Sequence, residues 1–175
     1  MFFNSIDFAI FLPIVFLLYW FVANKNLKLQ NLLIVLASYV FYAWWDWRFL
    51  SLIIFSTVID YSVARKLQNE SNQFNRKILL WTSTVVNLGF LGFFKYYNFF
   101  LDSFTSAFSF LGVEFSVNSL NIILPVGISF YTFQTLSYTI DVYKGKLKPT
   151  KDFIAFSAFV SFFPQLVAGP IERAT

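Results

Sequence analysis

LLIVLASYVFYAWWDWRFLSLIIFSTVIDYSVARK, residues 32–66, decides the fold class. Two apolar runs, 32–45 and 49–64, flank a knot of tryptophans around Asp46 and Arg48, and the second ends on the basic pair Arg65-Lys66. Amphipathic aromatic rings gather where a membrane segment meets the headgroups, and Lys and Arg gather in cytoplasmic loops. The stretch therefore reads as two membrane spans joined by an aromatic, headgroup-level turn, with a cytoplasmic loop after the second.

The rest of the chain has the same character. Of its 175 residues, 58% are hydrophobic and 13% charged, against ~25% charged in an ordinary soluble domain. A soluble chain of this size has no core large enough to hide so much apolar surface. Lipid is the solvent for most of it. The fold class is all-α, a polytopic membrane protein in a single membrane domain over residues 1–175.

Six runs carry the spans: 8–23, 32–45, 49–64, 78–94, 122–140 and 153–168. A span needs ~20 mostly apolar residues, so flanking aromatics complete the shorter ones. Lys25 and Lys28 follow the first run, Arg65, Lys66, Arg76 and Lys77 the third, and Lys144, Lys146, Lys148 and Lys151 the fifth. Arg48, Lys95 and Arg173 fall on the other side. Basic loops alternate with span number, which places the N-terminus outside. The first run has no basic leader and no small-residue cleavage site, and reads as a retained anchor.

Between the fourth and fifth runs, Phe100, Phe104, Phe108 and Leu111 share a helical face while Asp102, Ser106 and Ser109 fall on another. This predicts a helix in the outer interface or a re-entrant hairpin. Residues 113–118 alternate with period two and read as a short extended piece. The polar linker 68–75 reads as a loop. Its Asn69-Glu70-Ser71 matches a glycosylation pattern but falls on the cytoplasmic side.

Several chemistries are excluded for these residues alone. The chain has no Cys and no His, so it holds no disulfide, thiolate nucleophile, imidazole base, Ser-His-Asp triad or His-ligated metal. Nucleotide-binding glycine loops are absent. The net charge of +4 follows membrane topology rather than nucleic-acid binding, and no nucleic-acid partner is expected.

Polar residues in lipid are where function is sought. Asp60 reads as an interface carboxylate paired with Arg65 or Lys66, and Asn87 as an interhelical hydrogen-bonding group. The fifth run, ILPVGISFYTFQTLSYTIDVYKG (residues 123–145), is denser. Pro125 and Gly127 permit a kink or a close backbone approach. Tyr131, Gln134, Tyr138 and Asp141 then step along one helical face, with Thr135 beside them. That face serves either as a packing seam or as the wall of a substrate channel. In the sixth run Pro164 bends the helix and Gly169-Pro170 ends it, with Glu172 and Arg173 just beyond. Broken backbone at membrane depth belongs against protein or a water-lined cavity.

MFFNSIDFAIFLPIVFLLYW, ASYVFYAWWDWRFL, ILPVGISFYTFQTLSYTIDVYKG and FFPQLVAGPIERA together resemble the membrane-bound O-acyltransferase family, in its alginate O-acetylation branch, with the D-alanyl transfer proteins as more distant kin. The resemblance runs through the whole chain in order. It implies a multi-pass enzyme of the bacterial inner membrane that moves an acyl group, usually acetyl, toward an extracytoplasmic polysaccharide or a partner transferase. The donor is acetyl-CoA or another activated acyl carrier, and no bound cofactor is implied. The family's catalytic His lies in the second half of a longer chain, so the expectation here is an N-terminal portion that is inactive alone. By the same resemblance Tyr131, Gln134, Tyr138, Asp141, Pro164, Gly169, Pro170, Glu172 and Arg173 are channel-wall or scaffold residues. The competing expectation is a non-enzymatic membrane protein, a small transporter or an assembly subunit. It lacks the inverted repeat that transporters often carry.

Overall fold

A computed structural model describes residues 4–110, 125 and 127–169. The described chain is helical: α1 (Ile6–Leu17), ending in a five-residue π turn over Leu18–Val22, α2 (Leu27–Asn69), α3 (Gln73–Phe110), α4 (Ile128–Tyr143), α5 (Phe153–Ser161) and α6 (Phe163–Ala168). No strand occurs among the described residues.

The turn at the centre of the opening stretch divides α2. Asp46 has extended dihedrals (φ −160°, ψ 115°) inside an otherwise helical run. Its Oδ1 accepts the Arg48 backbone N–H at 2.9 Å, so Asp46 caps the helix that follows. The Arg48 guanidinium closes back on both carboxylate oxygens, with Nη2 to Oδ2 at 2.8 Å. Each portion, 27–45 and 47–69, is about 30 Å long at 1.5 Å per residue, close to the thickness of a bilayer core.

The fourth run and the segment after it are not separate elements. The Phe100 region is helical, as its spacing predicts, but it continues α3 without a break. The apolar run simply carries no helix-stopping residue between Lys95 and Phe110. The extended piece expected at 113–118 lies outside the described residues. So does the start of the fifth run apart from Pro125, and helix α4 begins only at Ile128, beyond Gly127.

Residues 27–69 and 73–105 form helices long and apolar enough to cross a membrane, while Ile6–Val22 and Phe153–Leu166 are shorter apolar helices. The surface matches that role. Ile6, Phe21, Trp47, Phe74, Trp81, Val85 and Phe100 each leave more than half of their area uncovered, and α1 buries no residue fully. Such an apolar exterior marks a membrane-facing surface.

Polar side chains are set into the apolar interior. Ser38, Ser56, Thr57, Asp60, Ser83, Asn87, Thr132, Gln134, Thr135, Thr139, Ser157 and Ser161 are all buried. Lipid offers no hydrophobic drive between helices, so small residues and interhelical hydrogen bonds hold the bundle. At one end aromatic packing takes over: Phe8 and Phe11 of α1 rest on Phe41 and Phe163, with Phe11 and Phe163 ring centres 5.4 Å apart.

Arg76 ties the other end together. Its Nη1 donates to the Leu67 carbonyl at 2.6 Å and the Glu70 carbonyl at 3.2 Å, and its Nη2 donates to the Tyr143 carbonyl at 2.7 Å. One guanidinium thus satisfies terminal carbonyls of α2 and α4, where a cation also complements the helix dipoles. It stacks over the Tyr143 ring as well, 5.4 Å from the centroid. The basic segments after α2 and after α4 therefore lie at the same end of the bundle.

Candidate functional site: a buried carboxylate among three helices

Asp60 is fully buried in α2. Its Oδ1 accepts the Ser83 hydroxyl at 2.5 Å, and the Asn87 amide nitrogen lies 2.9 Å from both Oδ1 and Oδ2. Ser56, one turn before Asp60, donates to Asn87 Oδ1 at 2.8 Å. Thr135 of α4 reaches the same oxygen at 3.4 Å. The second Asn87 amide hydrogen meets the Ser83 carbonyl at 3.0 Å. Helices α2, α3 and α4 are joined by one closed polar network.

This corrects the reading of Asp60 as an interface carboxylate paired with Arg65 or Lys66. Five residues separate Asp60 from Arg65, which turns the two onto different faces of α2. Asp60 faces inward, where the donors are hydroxyls and an amide. Asn87 holds the interhelical role its position predicts. A signal for the site was present in the sequence. Ser56 and Asp60 are four residues apart in one span, as are Ser83 and Asn87 in another, so each span places two polar groups on one face.

The polar face of α4 extends this seam. Tyr131, Gln134, Thr135 and Tyr138 are buried, and Asp141 is half-buried. Gln134 Nε2 donates to the Phe159 carbonyl of α5 at 2.8 Å. The Tyr138 hydroxyl accepts the Thr150 N–H at 3.0 Å, and its ring packs 4.8 Å from that of Phe156. The Asp141 carbonyl accepts the N–H groups of Lys146 and Leu147 and closes the turn after α4.

The close approach expected at Gly127 is present. Gly127 has φ 78°, and a Cβ there would stand 3.1 Å from the Leu166 carbonyl oxygen of α6. The same position is 3.5 Å from the Tyr42 hydroxyl, which is buried with no hydrogen-bond partner among the described residues.

The sixth run breaks as its proline predicts, two residues earlier. Phe162 is non-helical (φ −55°, ψ 105°) and divides α5 from α6, with half-buried Pro164 in the first turn of α6. The Phe163 N–H freed by the break donates to Ser38 Oγ of α2 at 3.3 Å. Gly169 ends α6 with extended dihedrals, and a Cβ on it would lie 2.7 Å from Gln165 Cα, so a side chain has no room. Pro170, Glu172 and Arg173 lie outside the described residues.

The chemistry of this site is that of orientation. Hydroxyls, amides and one carboxylate fix three helices in register, with no imidazole or thiol in the chain. Among the described residues no group of three or more acidic side chains is placed to hold a metal.

Comparison with known proteins gives this arrangement its context. Over 173 residues, 97% of its length, the chain is 40% identical to the probable alginate O-acetylase AlgI of Pseudomonas syringae pv. tomato, covering 32% of that protein. The chain is thus similar to an O-acetylase along nearly its whole length. The probable alginate O-acetylase AlgI of Pseudomonas aeruginosa is likewise 40% identical, over 97% of the chain and 32% of its own length. A peptidoglycan O-acetyltransferase of Helicobacter pylori is 35% identical, over 92% of the chain and 34% of its own length. The chain thus spans about one third of these O-acyltransferases. No family model and no solved structure matches it.

Proposed function

We propose that this chain forms the wall and scaffold of a membrane O-acyltransferase. That enzyme carries an acetyl group from a cytosolic activated donor such as acetyl-CoA to an extracytoplasmic polysaccharide hydroxyl, directly or through a partner transferase. Identity to O-acetylases over nearly the whole chain carries this reading. The six-span, N-out layout in the bacterial inner membrane belongs to the same proposal. It is supported by the alternating basic loops and by the junction of two of them at Arg76.

The chemistry divides by residue type. Attack by a sugar hydroxyl on an acyl carbonyl needs a group that accepts the hydroxyl proton near neutral pH, which suits His. This chain has none, so its residues position and enclose while the base comes from outside these 175 residues. The polar face of α4 (Tyr131, Gln134, Tyr138, Asp141) and the broken backbone at Pro164 and Gly169-Pro170, followed by Glu172 and Arg173, would border the acyl path. The unpartnered Tyr42 hydroxyl supports a polar neighbour there.

The test is acetyl transfer from acetyl-CoA in proteoliposomes. The 175-residue chain alone is expected to give no esterified polysaccharide. Co-expression with the remaining two thirds of an AlgI relative is expected to restore it. Turnover by the chain alone would refute the assignment of the base to residues outside it.

A further inference from the structure

Asp60 is a carboxylate without a cation. It is fully buried inside the 47–69 portion of α2, and the groups that act on it, Ser83, Asn87, Thr135 and Ser56, are all neutral. The described ion pair, Arg48 with Asp46, lies at the break in α2. A charge withdrawn from water is costly unless a counter-charge meets it.

The network also has fewer hydrogens than contacts. Ser83 gives its hydroxyl hydrogen to Oδ1. Asn87 shares one N–H between Oδ1 and Oδ2, and its other goes to the Ser83 carbonyl. Ser56 has a single hydroxyl hydrogen, taken by Asn87 Oδ1 at 2.8 Å, so its oxygen meets Asp60 Oδ2 at 3.4 Å as acceptor to acceptor. Thr135 has a single hydrogen too. Its nearer acceptor is the Thr132 carbonyl at 3.2 Å, which leaves its oxygen facing Asn87 Oδ1 at 3.4 Å. Asp60 Oδ2, Ser56 Oγ, Asn87 Oδ1 and Thr135 Oγ1 therefore gather, from three helices, around a place where positive charge belongs.

The spacing separates a proton from a metal ion. O–H···O hydrogen bonds run to about 3.0 Å, so a proton is poorly shared across 3.4 Å. Hard cations take oxygen ligands at about 2.3–2.6 Å, and two such ligands at right angles stand about 3.4 Å apart. One carboxylate balances one positive charge, which favours a monovalent ion over calcium.

We propose that Asp60, Ser56, Asn87 and Thr135 bind a sodium ion, which supplies the missing counter-charge and ties α2, α3 and α4 together. The site stands on its own geometry and does not depend on the acyl-transfer reading.

The test is thermal melting of the protein in detergent, with sodium exchanged for choline at constant ionic strength, together with direct binding of radiolabelled sodium. Sodium is expected to raise the melting temperature saturably and the label to bind. Asp60→Asn keeps the shape of the side chain and should lose both responses. Thr135→Val keeps its volume and should weaken sodium affinity about tenfold, the scale of one lost contact to a charged group. It reports on the site even if Asp60→Asn fails to fold. Asp7→Asn, at an exposed carboxylate of α1, should leave both responses unchanged. Equal melting in sodium and choline with no bound label would overturn the proposal, as would an undiminished sodium response in Thr135→Val or in a folded Asp60→Asn.

Discussion

The side-chain nitrogen of Asn87 lies 2.9 Å from each carboxylate oxygen of Asp60, bridging two helices at the centre of the bundle. The Ser83 hydroxyl donates to the same carboxylate, and Ser56, whose shorter hydrogen bond goes to Asn87 Oδ1, stands 3.4 Å from Oδ2. Asp60→Ala strands the Ser83 hydroxyl and the Asn87 amide. Each orphaned buried donor costs about 1–3 kcal/mol, so a loss of roughly 2–6 kcal/mol is expected in mixed-micelle unfolding. The Asp60→Ala/Asn87→Ala pair should lose less than the sum of its singles. Strict additivity would show that the two residues do not interact.

Arg76 is expected to matter for the opposite end of the bundle. Arg76→Ala removes the acceptor-matched caps of α2 and α4 and should lower stability by roughly 2 kcal/mol, the scale of a charged hydrogen bond. Arg76→Lys keeps the charge but not the fork that spans Leu67 and Tyr143, and should recover less than half. Thermal melts in detergent read both. Full rescue by Lys would reduce the contact to simple charge.

Two glycines give opposite predictions. Gly127→Ala places a Cβ 3.1 Å from the Leu166 carbonyl in a left-handed conformation, at about 1–3 kcal/mol of strain. Gly89 is helical with nothing within 4 Å of a new Cβ, so Gly89→Ala is expected to be neutral or stabilising by up to ~1 kcal/mol. Melting temperatures that fell equally for both would contradict the close approach of α4 to α6.

Glu70 sets a local pH dependence. The Asn72 N–H and the Asn75 side-chain amide donate to its two oxygens and hold its carboxyl below the ordinary value of 4.5. A depressed folded pKa contributes stability that is complete above the unfolded value. That contribution is lost as pH falls through the folded one. The loop joining α2 to α3 is therefore expected to loosen below about pH 4.5. Hydrogen exchange of the backbone amides of residues 70–75 across that range checks it. Glu70→Gln should flatten the profile, and an unchanged profile would contradict the assignment.

Hydropathy and charge made the helical membrane class legible, because lipid forces apolar exteriors and closed backbone hydrogen bonding. The break at Asp46, the close approach at Gly127 and the discontinuity before Pro164 were legible too, since each rests on a residue with a strong local rule. The depth of Asp60 was not. A carboxylate five residues from Arg65 invites a local ion pair, whereas its real partners, Ser83 and Asn87, stand on α3, 23 and 27 residues away in sequence. Nor was the continuity of α3 legible, because a polar face on a long helix reads the same whether the helix lies flat or continues a span.

The account depends most on a bundle that spans the bilayer with its Arg76 end in the cytoplasm. The chain has no Cys, so single cysteines report without a background. Introduced at Asn75, at Lys146 and at Trp47, they would be treated in intact cells with a membrane-impermeant maleimide. Trp47 alone is expected to label, with Asn75 and Lys146 labelling only after the membrane is opened. Labelling of Asn75 or Lys146 in intact cells, or of all three alike, would contradict the orientation and the cytosol-to-exterior acyl path built on it.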